Sequence, residues 1–284
     1  MISLTNEDKK WLSQEHDGLK FNEDATISGI IKFTASYEEQ SGQFYATPKG
    51  RQETTPGIQL NGSFNIVIKE RTNTSVSNLP ALHVEDVDTI ANRHFNQTDH
   101  SACLCSPLEE DEFLIPRFEF IPFIEQLVVP FLYGQVFYTK EKRWPWPEYE
   151  HGAVGILESY GKINDPQKIK DCIHKLAQDS VAWTKIKEAL LKKGDIKGGL
   201  PCFCAVGDHR RRCHPNALVG IRQLKNDIEK NNTISYIEEV DKIIEENKKT
   251  NKVFWASGIH PLIPSALHPK RKKKFEIMNP NIYV

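Results

Sequence analysis

His94-Phe95-Asn96-Gln97-Thr98-Asp99-His100-Ser101-Ala102-Cys103-Leu104-Cys105 is the stretch on which the reading of this chain turns. It sets a histidine, a side-chain amide and two thiols between a strand pattern on one side and a long amphipathic helix pattern on the other. A thiol can take an acyl group as a thioester. A carboxamide close by can donate to the oxyanion that develops when that ester is attacked. If residues 103–105 are extended, the two thiols point to opposite sides and only one can face a site. Cys103 and Cys105 both remain open here as the nucleophile.

On the N-terminal side of this stretch, residues 5–19 read as a short helix. From Ile27 the period becomes two: Ile27, Ile31, Phe33, Ala35 and Tyr37 share one face of a strand. A polar, Gly/Pro-containing connection runs from Glu38 to Gly57. A second strand pattern then runs through Ile58, Leu60, Phe64, Ile66 and Ile68, with Asn61-Gly62 as a bulge or turn signal. Leu79-Pro80-Ala81-Leu82-His83-Val84 is a third extended segment, and its proline favours a sheet edge or the first residues of a strand.

On the C-terminal side, Ile121, Ile124, Leu127, Val128, Phe131 and Leu132 recur at helical spacing. Pro122 suits a first turn, whereas Pro130 is expected to kink or end the helix. Trp144-Pro145-Trp146-Pro147 reads as a rigid aromatic connector. Further helices are expected at about 150–161, 166–177, 179–194, 216–230 and 234–249, with a break at 198–214.

Six cysteines fall in 284 residues: a pair at 103 and 105, three at 202, 204 and 213, and Cys172. Cys172 sits among Ile169, Ile173 and Leu176 on a helical face and reads as core. Cys202-Phe203-Cys204, eight residues, then Cys213-His214 supplies three thiols and an imidazole. That is a full tetrahedral set for a structural zinc ion, with no open position. His209 is the rival imidazole, less well placed because it lies inside the loop. The strings Arg210–Arg212 and Lys270–Lys274 read as solvated charge, with phosphate contact as the alternative.

The net charge of −1 gives no global drive toward nucleic acid or acidic lipid. The longest apolar run, Leu127 to Tyr133, falls well short of the roughly 20 residues of a membrane span. The start, Met1 to Asp8, shows no basic region leading into an apolar stretch. The expectation is therefore a cytosolic protein with no membrane partner and reduced cysteines.

The order of opening helix, strand meander, proline-bearing strand and His94-Phe95-Asn96 loop leading to Cys103-Leu104 resembles the ubiquitin-conjugating enzymes. Phe95 stands where that family has proline, and Ala102 where it has a bulky aliphatic residue. The later run from Phe123 to Tyr133, then Trp146-Pro147-Glu148 and His151-Gly152-Ala153-Val154-Gly155, is similar to bacterial conjugating-enzyme-like proteins of antiphage islands built around cyclic-oligonucleotide synthases. The resemblance implies an α+β conjugating-enzyme-like domain over residues 1–161. Cys103 would hold a protein C-terminus as a thioester, received from a separate activating enzyme. That C-terminus would belong to a ubiquitin-like modifier or to the cyclic-nucleotide synthase, and a protein amine would accept it. It further implies Asn96 as oxyanion donor, His94 as a brace of the loop and His151 as possible support. The sequence offers no evident dyad partner for the thiol, which suits a carrier that holds its ester until an acceptor arrives.

The second cysteine cluster resembles the SEC-C zinc motif, although Ala205-Val206-Gly207 keeps only the last residue of that motif's Gly-Ser-Gly. Residues 162–284 are accordingly expected to form a helical extension with a zinc knuckle at about 198–216 and a basic tail. The leading expectation is an acyltransferase. The alternative is an inactive conjugating-enzyme-like binding module with a zinc adaptor. A zinc protein that binds nucleic acid is a weaker third.

Overall fold

Thr5 opens the first helix. Its hydroxyl accepts from the Asp8 amide at 3.1 Å, and the Asp8 carboxylate accepts the Thr5 amide at 2.8 Å. This reciprocal cap satisfies two of the donors that a helix start leaves open. The computed structural model describes residues 2–47, 55–71, 77–90, 93–96, 98–204 and 209–249. The architecture is α+β with an antiparallel sheet. In chain order the first part holds α1 (Asn6–Glu15), β1 (Leu19–Phe21), β2 (Ile27–Glu38), β3 (Gln43–Thr47), β4 (Ile58–Lys69) and β5 (Ala81–Val84). It continues with α2 (Glu110–Leu114), α3 (Phe120–Phe123), a π-helical turn (Ile124–Val128) and α4 (Val129–Glu141). The second part holds α5 (Gly152–Ile163), α6 (Ile169–Leu176), α7 (Ser180–Leu191), α8 (Arg210–Cys213), α9 (Pro215–Asn231) and α10 (Ser235–Lys249). Lys270–Lys274 and Ala205-Val206-Gly207 lie outside the described residues.

Contacts divide the chain into two units. The first comprises Met1–Cys105 and Glu109–Glu148; the second comprises Ser106–Leu108 and the chain from Tyr149 onward. Helix α5, expected to close the first domain at residue 161, belongs to the second unit instead.

In the first unit the strands follow the path β1-β2-β4-β5, and β3 also pairs with β2. The long β2–β4 ladder runs from Ile27↔Ile68 to Tyr37↔Ile58. β1 and β3 share the other edge of β2, at its two ends. The alternating face of β2 is buried as its pattern predicts, through Ile27, Ile31, Phe33, Ala35 and Tyr37. Asn61-Gly62 is neither bulge nor turn: both residues stay in register, opposite Thr34 and Phe33. The glycine is needed for space, because a Cβ there would fall 2.3 Å from the Phe33 ring. β3 lies within the stretch expected to be a plain connection.

The helix over the sheet does not end at Pro130. Helix runs from Phe120 to Glu141, and the Val129 amide reaches back five residues to the Ile124 carbonyl. A π-turn widens the helix just ahead of the proline, giving room for its ring where an ordinary turn would clash. By length and composition these 22 residues could cross a membrane, at mean hydropathy 1.4, but 67% of the apolar window is buried inside the protein. Phe123, Ile124, Val128 and Leu132 share one hydrophobic cluster with Ile27, Ile66, Ile68 and Leu82.

In the second unit α5 and α9 meet closely at glycines. A Cβ on Gly220 would sit 1.7 Å from the Leu157 carbonyl oxygen, and one on Gly161 would sit 2.9 Å from Gly220 Cα. The buried Tyr160 hydroxyl donates to Asp227 at 2.9 Å. Cys172 is fully buried among Ile169, Ile173 and Leu176, as a core residue.

Candidate functional site

The loop carrying Cys103 is fixed from below. Ala102 donates its amide to the Leu82 carbonyl of β5 at 2.8 Å and forms a bridge with Phe95. Phe95 is buried, with its ring edge-on to Phe131 at 5.4 Å. Ser101 is fully buried: its hydroxyl donates to Asp99 at 2.7 Å and accepts from Arg71 Nη1 at 2.7 Å. Arg71 is itself buried, pairs with Asp99 and donates from Nε to the Leu79 carbonyl at 3.3 Å. A buried guanidinium satisfied in this way is strongly destabilising to disrupt.

Asn96 belongs to this bracing. Its backbone amide donates to the Ser101 carbonyl at 2.8 Å, while Nδ2 reaches the Ser101 carbonyl at 3.2 Å and hydroxyl at 3.1 Å. The amide expected to steady an oxyanion is thus engaged within the loop.

His94, expected as a brace of the loop, stands next to Cys103 and Glu148. Its carbonyl accepts the Cys103 amide at 2.7 Å, and the Cys103 side chain is close enough to act on its imidazole. Nε2 meets the Glu148 carboxylate, and Trp144 lies edge-on to the ring at 4.6 Å. The neighbouring Arg93 is tied to α4 through the Gln135 side chain at 2.9 Å and Thr139 at 2.6 Å. The His94 backbone is left-handed, with φ 56°. For a residue with a Cβ this costs of order 1 kcal/mol, a strain the surrounding contacts must hold. Burial works to lower the imidazole's pKa, but Cys103 and Glu148 outweigh it and raise it to about 9. The ring is therefore an imidazolium at neutral pH.

Cys103 is half-buried, on the loop between these groups. Cys105 differs in environment. Burial, followed by the nearby Glu110 and Glu109 carboxylates, pushes its thiol well above the usual range. A thiol held neutral is a poor nucleophile. His151 stands immediately before α5 in the second unit, whereas His94, Asn96 and Cys103 all belong to the first. Glu148 is the residue that sequence reasoning missed at this site. Nothing in the local spacing links it to a histidine 54 positions earlier.

Cys202, Cys204, Cys213 and His214 converge as their spacing suggests. Their four ligand atoms lie within 4.8 Å of one another, and the group could hold a metal ion. Cys204 and Cys213 sulfurs are 3.5 Å apart, and Cys202 Sγ is 3.2 Å from His214 Nδ1. A tetrahedron of thiolates at about 2.3 Å from a central ion has edges of roughly 3.8 Å, so the donors already stand near ligating separation. His214 Nε2 faces Glu150 at 3.3 Å, which orients the ring with Nδ1 toward the thiols. His209 is not one of the four clustered donors; it forms an isolated antiparallel bridge with Pro201. Arg210, expected in a solvated string, is buried with its guanidinium 4.1 Å from the Phe203 ring centre and donates to the Pro201 carbonyl at 3.1 Å. Arg211 and Arg212 are exposed.

Comparison with protein-family models, with curated proteins and with solved structures finds no match.

Proposed function

We propose that the first unit carries an acyl group on Cys103 as a thioester and passes it to an amine, in the manner of a ubiquitin-conjugating enzyme. The observation that carries this reading is the half-buried Cys103, held beside His94 by the 2.7 Å bond from its amide to the His94 carbonyl. The rigid loop behind it supports the same reading, since a carrier must present its sulfur in one place. The acyl group is a protein C-terminus, from a ubiquitin-like modifier or a cyclic-nucleotide synthase. A separate activating enzyme delivers it and a protein lysine accepts it, in the setting of bacterial antiphage defence in the cytosol. In the second unit, Cys202, Cys204, Cys213 and His214 hold a structural zinc ion. Three thiols and an imidazole fill a tetrahedron, so the role is to fasten the segment between α7 and α9.

The test uses the full chain and a glycine-terminated peptide α-thioester as acyl donor, read by intact mass spectrometry. A thiol-sensitive adduct that disappears in Cys103→Ala and persists in Cys105→Ala supports the carrier. One observation favours a second reading, an acyl-inactive binding module: the Asn96 amide is spent on Ser101. Absence of any adduct on a folded chain decides for that module.

A further inference from the structure

We infer that His94, positioned by Glu148, is the proton carrier of the Cys103 site, taking the proton from the attacking amine and returning it to the departing sulfur. The inference rests on the thioester reading above and gives that reading an acid–base device. The geometry sets three residues in order: Cys103, whose amide donates to the His94 carbonyl at 2.7 Å and whose side chain acts on the imidazole, then His94, then the Glu148 carboxylate on Nε2. Such an order of nucleophile, base and orienting carboxylate is what proton transfer at a thiol requires. The imidazole is held on its other sides by Trp144 and by the tie of Arg93 to α4. Burial works to lower its pKa and Cys103 and Glu148 raise it, while the Arg93 guanidinium is turned to Gln135 and Thr139.

In the step itself, the amine nitrogen attacks the thioester carbonyl carbon and a C–N bond forms. The C–S bond breaks and the electron pair leaves with the Cys103 sulfur. The amine's proton passes to the His94 ring nitrogen that does not meet Glu148 and from there to the sulfur, giving an amide and the thiol. The site also gates itself. In the free enzyme the sulfur helps to hold the imidazole protonated. Acylation removes that sulfur as a partner of the imidazole. The imidazole then loses its proton more readily and becomes a base when an ester is present to be discharged. Glu148 is the positioning residue in this scheme, since it fixes which nitrogen faces the sulfur.

The experiment loads the full chain with the same peptide α-thioester and follows discharge to methoxyamine from pH 6 to 10. That amine stays unprotonated throughout, so the profile reports the enzyme. In the wild type, discharge should rise with pH as His94 gives up its proton. His94→Gln should slow discharge by about 100-fold, as loss of general base catalysis does. Glu148→Gln should slow it by about tenfold and move the midpoint to lower pH, because the carboxylate that favours the imidazolium is gone. A merely structural Glu148 would leave the midpoint in place. In parallel, NMR of the His94 ring should show its titration falling when Cys103 is capped with iodoacetamide, and falling again in Glu148→Gln. Normal loading with a flat profile, or a His94 titration indifferent to both changes, overturns this inference alone. Failure of loading overturns the carrier reading and this inference with it.

Discussion

Replacing Arg71 with methionine removes the charge beneath the Cys103 loop while keeping much of the side chain's volume. The wild-type guanidinium has 3% of its side chain exposed and contacts the Asp99 carboxylate, the Ser101 hydroxyl and the Leu79 carbonyl. Breaking one partner of a fully buried pair costs about 3–5 kcal/mol. Asp99 is 27% exposed, so water recovers part of that, and about 2–3 kcal/mol is the expected loss. For a unit of this size that corresponds to a fall of roughly 6–10 °C in melting temperature. The assay is tryptophan fluorescence on heating, since Trp11, Trp144 and Trp146 lie in the first unit. Hydrogen exchange at the Ala102 and Cys103 amides reads the loop directly, and both should exchange faster. The pH dependence has a definite sign. Burial works to raise the Asp99 carboxyl, but Ser101 and then Arg71 hold it below the usual value. A depressed folded value means the contribution is present above the unfolded value of about 3.9 and is lost as pH falls through the folded one. The wild type should therefore lose stability below about pH 4, and Arg71→Met should lose less of it there. A change under about 2 °C, with unchanged exchange, refutes the claim that this pair holds the loop.

Other outcomes follow from the same contacts. Gly62→Ala puts a methyl 2.3 Å from the Phe33 ring inside a paired strand, and urea unfolding should register a loss of about 1–3 kcal/mol. Iodoacetamide at pH 8 should label Cys103 and spare Cys105, whose thiol pKa is pushed up by burial and by Glu110 and Glu109; peptide mapping that finds Cys105 labelled first overturns that assignment. The chain purified without chelator should hold one zinc ion. Cys204→Ser, or a strong chelator, should release it and lower the melting of the helical signal; an unchanged melt would show that the cluster does not fasten the fold.

What could be read from the residues was what depends on neighbours in sequence. The period-two face of β2, the helical stripe around Leu132 and the four-donor spacing at 202–214 are each local patterns, and each reappears in three dimensions. Three features escaped for physical reasons. β3 is a five-residue edge strand with no fully buried residue, only Phe44 packing on the core, so its residues carry no alternation to detect. Pro130 signalled an end to the helix, but a π-turn absorbed it, and a single-residue change in helical register leaves no mark in composition. Glu148 reaches His94 only because the Trp-Pro connector folds back, and a contact across 54 positions is set by packing, not by spacing. Asn96 shows the converse limit: the residue type was right for an oxyanion donor, but its hydrogens are committed to Ser101.

The helix from Phe120 to Glu141 has a consequence for how the protein is made. Its exposed polar positions are few, Glu125 and Gln126 and then Thr139 to Glu141, so little polar surface keeps it in water when the sheet is absent. Until the distant β2–β4 ladder has closed beneath it, a newly synthesised chain offers 22 residues that aggregation partners, chaperones or an insertion channel could equally well seize. The first unit should accordingly tolerate truncation of its sheet badly, yielding insoluble material instead of a smaller folded piece.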